Sequence, residues 1–135
     1  MREVSASRFV RATPAAVERA LTPRALVEYE GSFTVYEVED TEEGWLVIAG
    51  SRGMELALAF EVRAEGLTYE QRGDGPLEAL ETTVTYEPED EGTSVRMRSR
   101  VSAGLPLPSI TDRVAAWKRR GELRRALSRL AADME

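Results

Sequence analysis

From Met54 to Arg63 the chain alternates strictly: Met54, Leu56, Leu58, Phe60 and Val62 interleave with Glu55, Ala57, Ala59, Glu61 and Arg63. A period of two is the spacing of a β-strand with one face buried, because successive side chains leave opposite faces of the pleat. Weaker versions of the pattern fill residues 32–103, cut at short intervals by turn residues. Phe33, Val35 and Tyr36 lie in one run, ended by the acidic stretch Glu39-Asp40-Thr41-Glu42-Glu43-Gly44, and Trp45 to Ala49 form the next. Gly50-Ser51-Arg52-Gly53 reads as a tight hairpin, since glycine supplies the positive φ such turns need. After the turn Ala64-Glu65-Gly66, Leu67, Tyr69 and Gln71 continue, which pairs Val62 with Leu67 and Phe60 with Tyr69. The segment is predicted to be an antiparallel meander.

The last hairpin fixes its own register. With Tyr86 opposite Val95, Val84 meets Met97, Thr82 meets Ser99 and Leu80 meets Val101. The other face then sets Thr85 against Arg96, Thr83 against Arg98 and Glu81 against Arg100. One register satisfies both faces, giving a sheet with an apolar side and a charged, solvated side. The arginine row offers a geometry for binding an anion, but a solvated charge ladder explains it with fewer assumptions.

Helices flank the meander. Residues 2–12 carry Val4, Ala6, Phe9 and Val10 in a strand-like pattern. Thr13-Pro14 is a helix start, a hydroxyl cap followed by proline where its missing N–H costs nothing. Val17, Ala20 and Leu21 share one face of that helix; Pro23 breaks it, and Leu26-Val27 with Tyr29 begin a second, ended by Gly31. Gly104-Leu105-Pro106-Leu107-Pro108 is a stiff connector, with Ser109 as N-cap of a long final helix. That helix shows two apolar stripes out of phase, Ile110, Val114 and Trp117, then Leu123, Leu127, Leu130 and Met134. A bend near Gly121, or two halves packed on different surfaces, is predicted. Lys118, Arg119, Arg120, Arg124, Arg125 and Arg129 are assigned to its wet face.

Composition removes several chemistries. The chain has no cysteine and no histidine, so the usual zinc ligands and any Ser-His-Asp or Cys-His arrangement are missing, and a metal would have to sit on carboxylates, which fall in loops and on the charged face. A net charge of −6 argues against nucleic acid, whose phosphates need a basic face. Gly73-Asp74-Gly75-Pro76 is a turn, lacking the strand and helix of a phosphate-binding loop. With no apolar N-terminal stretch and no long hydrophobic run, neither secretion nor a membrane span is expected, and the location is read as cytoplasmic. At 135 residues one domain, 1–135, is expected.

Strand, paired short helices, six-strand meander and long C-terminal helix together resemble the helix-grip fold of the SRPBCC superfamily, which includes START lipid-transfer domains and polyketide cyclases. Thr13-Pro14 with Val17 and Ala20-Leu21-Thr22-Pro23 is similar to the family's opening helix, and Gly121-Glu122-Leu123-Arg124-Arg125-Ala126-Leu127 to its closing one. The resemblance implies an α+β, START-like domain, with a curved antiparallel sheet of about seven strands wrapped around the final helix. Family members bind apolar molecules between the concave face and that helix.

Carried onto this chain, the implied lining is Leu56, Leu58, Phe60, Tyr69, Leu80, Thr82, Val84, Met97 and Ser99 from the sheet. Ile110, Val114 and Trp117 come from the helix, with Trp117 as the roof. Tyr69, Tyr86 and Gln71 are candidates for orienting a ligand's polar group. Alternating Leu, Phe and Val on strands are more often packing than contact residues. The implied function is binding or transport of a small apolar molecule such as a lipid or polyketide, with no cofactor, no metal and no catalytic residue assigned. The alternatives are a polyketide cyclase/dehydratase-like enzyme and a partner-binding module resembling chaperone ATPase activators. Oligomeric state is not legible.

Overall fold

A computed structural model describes residues 1–104 and 108–135. β1 (Arg2–Val10) leads into α1 (Pro14–Ala20) and α2 (Pro23–Glu30). Then come β2 (Thr34–Asp40), β3 (Gly44–Ser51), β4 (Met54–Arg63), β5 (Gly66–Arg72), β6 (Ala79–Glu89) and β7 (Gly92–Ser102), and α3 (Pro108–Met134) follows. The strands form one curved antiparallel sheet ordered β1-β7-β6-β5-β4-β3-β2. This is the helix-grip arrangement.

The registers follow the side-chain chemistry. Phe60 faces Tyr69, and Tyr86, Val84, Thr82 and Leu80 face Val95, Met97, Ser99 and Val101. Glu81 lies opposite Arg100. Among the described residues, however, Arg96, Arg98 and Arg100 make no salt bridge, so their row is spaced by register and solvated. The β3–β4 turn is closed by Arg52 and Gly53 at φ 51° and 80°, the paired positive φ that suits strand twist in a two-residue hairpin. Gly66 is required for a different reason. A Cβ there would fall 1.8 Å from the Val84 carbonyl oxygen, so β5 and β6 close only around glycine.

The two short helices use one device twice. Thr13 Oγ1 accepts the Ala16 N–H at 3.2 Å and Thr22 Oγ1 accepts the Ala25 N–H at 3.1 Å, each with proline next in sequence. The second helix therefore begins at Pro23, earlier than the Leu26 expected from its apolar face. Its last carbonyls are met from α3. Arg125 donates to Glu30 O at 2.8 Å, and Arg129 donates to Glu28 O and Tyr29 O at 3.3 Å. Cations suit the negative end of a helix.

α3 differs from expectation in a way that decides the site. It starts at Pro108, one residue before Ser109, whose side chain lies outside the described residues, as does the connector 105–107. No two-surface packing is needed. Asp112, Ala116, Arg119, Leu123, Leu127 and Leu130 are all buried at successive helical steps, one stripe running the length of the helix. The first half of that stripe is polar. The residues expected to face inward there, Ile110, Val114 and Trp117, are 60%, 61% and 76% exposed. No helix among the described residues is long and apolar enough to cross a membrane.

Gly121 lies in this unbroken helix with open space where a Cβ would project. Gly121→Ala is therefore expected to raise stability by about 0.5–1 kcal/mol in urea unfolding. A loss would restore the predicted bend.

Candidate functional site

The inner face of β4–β6, the end of α2 and the first half of α3 enclose a cavity of about 420 Å³. Its walls are mainly apolar: Leu56 and Leu58 from β4, Leu80 from β6, Val27 from α2, Phe33 and Leu77 from the connections. Ile110 and Val114 line it while remaining mostly exposed, so they mark its mouth. Two hollows on the outer face differ in kind. One holds the ion pairs Arg63–Glu61 and Arg72–Glu70, the other Arg98 and Arg100 beside Glu3 and Glu81, so charged side chains line both.

A buried ionic cluster forms one end of the cavity, centred on Arg119. Its guanidinium has five N–H donors in a fixed fork, and five acceptors receive them. Nε donates to Ser99 Oγ at 3.0 Å. Nη1 donates to Glu30 Oε1 at 2.6 Å and Glu122 Oε1 at 3.1 Å. Nη2 donates to Thr82 Oγ1 at 2.8 Å and to the Tyr69 hydroxyl. The acceptors are bonded further: Tyr69 OH donates to Glu30 Oε2 at 2.6 Å, Thr82 and Ser99 share a bond at 2.9 Å, and Ser32 donates to Glu122. Phe60 stacks behind Tyr69 with ring centroids 4.6 Å apart.

Electrostatics keep Tyr69 and Arg119 each in one protonation state. Burial pushes the Tyr69 phenol far above its ordinary range; Arg119 opposes that shift and Glu30 reinforces it. Tyr69 is thus a neutral donor. For Arg119 burial acts to lower the pKa, but the Glu30 carboxylate, with Tyr69 and Glu122, overrides it and the net shift is upward. The guanidinium is a fixed charge.

Gln71 is the exception to this saturation. Its Nε2 donates to Leu77 O at 2.7 Å, which fixes the amide's orientation, and its Oε1 is buried with no partner among the described residues. That acceptor belongs to a residue lining the cavity.

The structure places Leu56, Leu58, Tyr69, Gln71, Leu80, Ile110 and Val114 in the cavity wall. Thr82 and Ser99 lie behind it as partners of Arg119; Phe60, Val84 and Met97 are core. Tyr86 is half-buried outside the cavity lining, its pKa raised by burial and then by Glu18. Trp117 does not roof the cavity; α3 turns it outward because the stripe through Arg119 faces in. Arg119 is the opposite correction: expected on the wet face, it is buried. Glu30 and Glu122, an acid pair at the apolar face, are site residues that the apolar pattern does not single out. Helical spacing carries the missing signal. Glu30 shares the face of Leu26 and Val27, and Leu123–Leu127–Leu130 extended backward reaches Arg119 and Asp112.

The profile of a family described as "Polyketide cyclase / dehydrase and lipid transport" matches residues 1–135. None of the curated proteins matches the chain. Among solved structures, a START superfamily protein from Mycobacterium smegmatis is similar with a TM-score of 0.77 at 14% identity, over 98% of this chain and 99% of that one. The Aha1 dimer from Colwellia psychrerythraea gives 0.68 at 14%, over 100% and 97%. The di-domain ARO/CYC BexL from the BE-7585A biosynthetic pathway gives 0.66 at 21%, over 93% of this chain and 45% of that one. At these identities each likeness speaks for the fold.

Removing Arg119 strands two buried carboxylates. Arg119→Met is expected to cost about 3–5 kcal/mol in urea unfolding. The double variant Arg119→Met/Glu30→Gln should lose less than the sum of its single changes. A loss below about 1 kcal/mol for Arg119→Met would contradict the network.

Proposed function

The chain belongs to the polyketide cyclase/dehydrase and lipid-transport family, and on that premise we propose that it binds one small, mostly apolar molecule non-covalently beneath α3. The observation that carries the proposal is the combination of a cavity of about 420 Å³, mainly apolar walls and a buried acceptor, Gln71 Oε1, that has no partner among the described residues. An apolar cavity of about 150 Å³ holds benzene; by proportion, the room here suits a ligand of about 17 non-hydrogen atoms. The vacant acceptor adds a requirement. A buried carbonyl without a donor costs about 1–3 kcal/mol, so a ligand whose hydroxyl, amide or amine reaches that oxygen, with a small turn of the Gln71 side chain toward the cavity, gains over its hydrocarbon analogue.

A cyclase-like enzyme on this fold would draw on the same cavity groups. Arg119, Tyr69 and Glu30 are bonded to one another and every Arg119 N–H is taken. Binding asks nothing of them beyond holding the wall in place. The likeness to the Aha1 dimer concerns fold, and a partner-binding role leaves the cavity without a purpose.

The test is calorimetry with two ligands of matched shape, 2-naphthol and 2-methylnaphthalene. The hydroxyl compound is expected to bind about tenfold more tightly, and Gln71→Leu to remove that preference. Ala115→Trp, which places a large ring in the lining, should weaken both ligands together. Equal affinities unaffected by either substitution would overturn the reading.

A further inference from the structure

We propose that the outward face of α3's first half docks on an anionic lipid bilayer, with Ile110, Val114 and Trp117 entering the interface and the neighbouring cations meeting lipid phosphates. The three apolar side chains recur at i, i+4 and i+7 and are all exposed, forming one stripe that the fold leaves uncovered.

Charge identifies the occupant. From Ile110 to Met134 there are seven Arg or Lys residues and three acids, in a chain whose net charge is −6. Two of the acids, Asp112 and Glu122, are buried and bonded within the protein. The exposed positions from Arg113 to Arg129 thus carry only cations as charged groups. Arg125 and Arg129 are committed to α2 carbonyls. At about 100° per residue, Arg113, Arg120 and Arg124 border one side of the apolar stripe and Lys118 the other. An exposed tryptophan within such a border is the composition of an interfacial helix. The indole settles at headgroup depth, and long cationic side chains reach the phosphates.

A second copy of the chain suits this face poorly, because two-fold pairing would bring the same cations together. A bilayer fits the geometry as well. Ile110 and Val114 are both part of the stripe and part of the cavity mouth, so docking sets the mouth against lipid. The corollary that a ligand passes between bilayer and cavity rests on the binding proposal above; docking itself does not.

Sedimentation with empty, sucrose-loaded vesicles tests the docking separately, since no cavity ligand is involved. Binding is expected to equimolar phosphatidylglycerol/phosphatidylcholine and not to phosphatidylcholine alone, and to fall with added salt. Arg113→Gln and Arg120→Gln should each lower the partition about fivefold. Trp117→Ser should lower it at least as much without moving the melting temperature, because the side chain is exposed. Absence of binding to the anionic vesicles, or partition unchanged in all three variants, would overturn the proposal. So would tighter binding to an acidic polyglutamate peptide than to vesicles, or a dimer abolished by Trp117→Ser in a protein that ignores vesicles.

Discussion

A guanidinium withdrawn from water must find an acceptor for each of its five N–H groups, and Arg119 draws them from separate elements of the fold. Tyr69, Thr82 and Ser99 come from β5, β6 and β7, Glu30 from the end of α2, and Glu122 from the next turn of α3. The cluster therefore sets the rotation of α3 about its own axis over the sheet. Once that rotation is fixed, Leu123, Leu127 and Leu130 fall into the core and Ile110, Val114 and Trp117 have nowhere to go but outward.

The cavity adjoins the same anchor, since Glu30, Tyr69, Arg119 and Glu122 are all in its lining. The space lies where the anchor is, on the Arg119 side of Leu123, while the second half of α3 closes down on an apolar core. A polar cluster satisfied within itself also leaves the cavity few open hydrogen-bonding groups. Among the described residues, Gln71 Oε1 is the buried side-chain acceptor left without a partner.

The β4–β5 and β6–β7 registers are legible in the sequence, since period-two patterns and opposite-face agreement leave a single solution for Leu80–Tyr86 against Val95–Val101; the register shift between Val35 and Glu37 in β2 is not. The cavity's sheet residues are equally visible: Leu56, Leu58 and Tyr69 follow from alternation on β4 and β5. The helix residues are not. Sorting side chains into apolar-in and charged-out is a sound rule for most helices, and it fails where a charge is buried with partners remote in sequence. Glu30 and Arg119 are 89 residues apart; neither sequence neighbourhood announces the other. Only the phase of the leucine stripe, extended backward, turns Arg119 inward. The same rule misplaces Trp117, because a large aromatic side chain reads as a buried one.

The central claim is that the space between the sheet and the first half of α3 receives a small apolar molecule with a donor directed at Gln71. Its most direct measurement is an NMR titration with 2-naphthol, following methyl groups and the Gln71 side-chain amide. Shifts confined to Leu56, Leu58, Leu80, Val114 and the Gln71 amide are what the account predicts. Saturable shifts elsewhere, on the outer face of the sheet or at the leucines of α3's second half, with these groups unmoved, would contradict it.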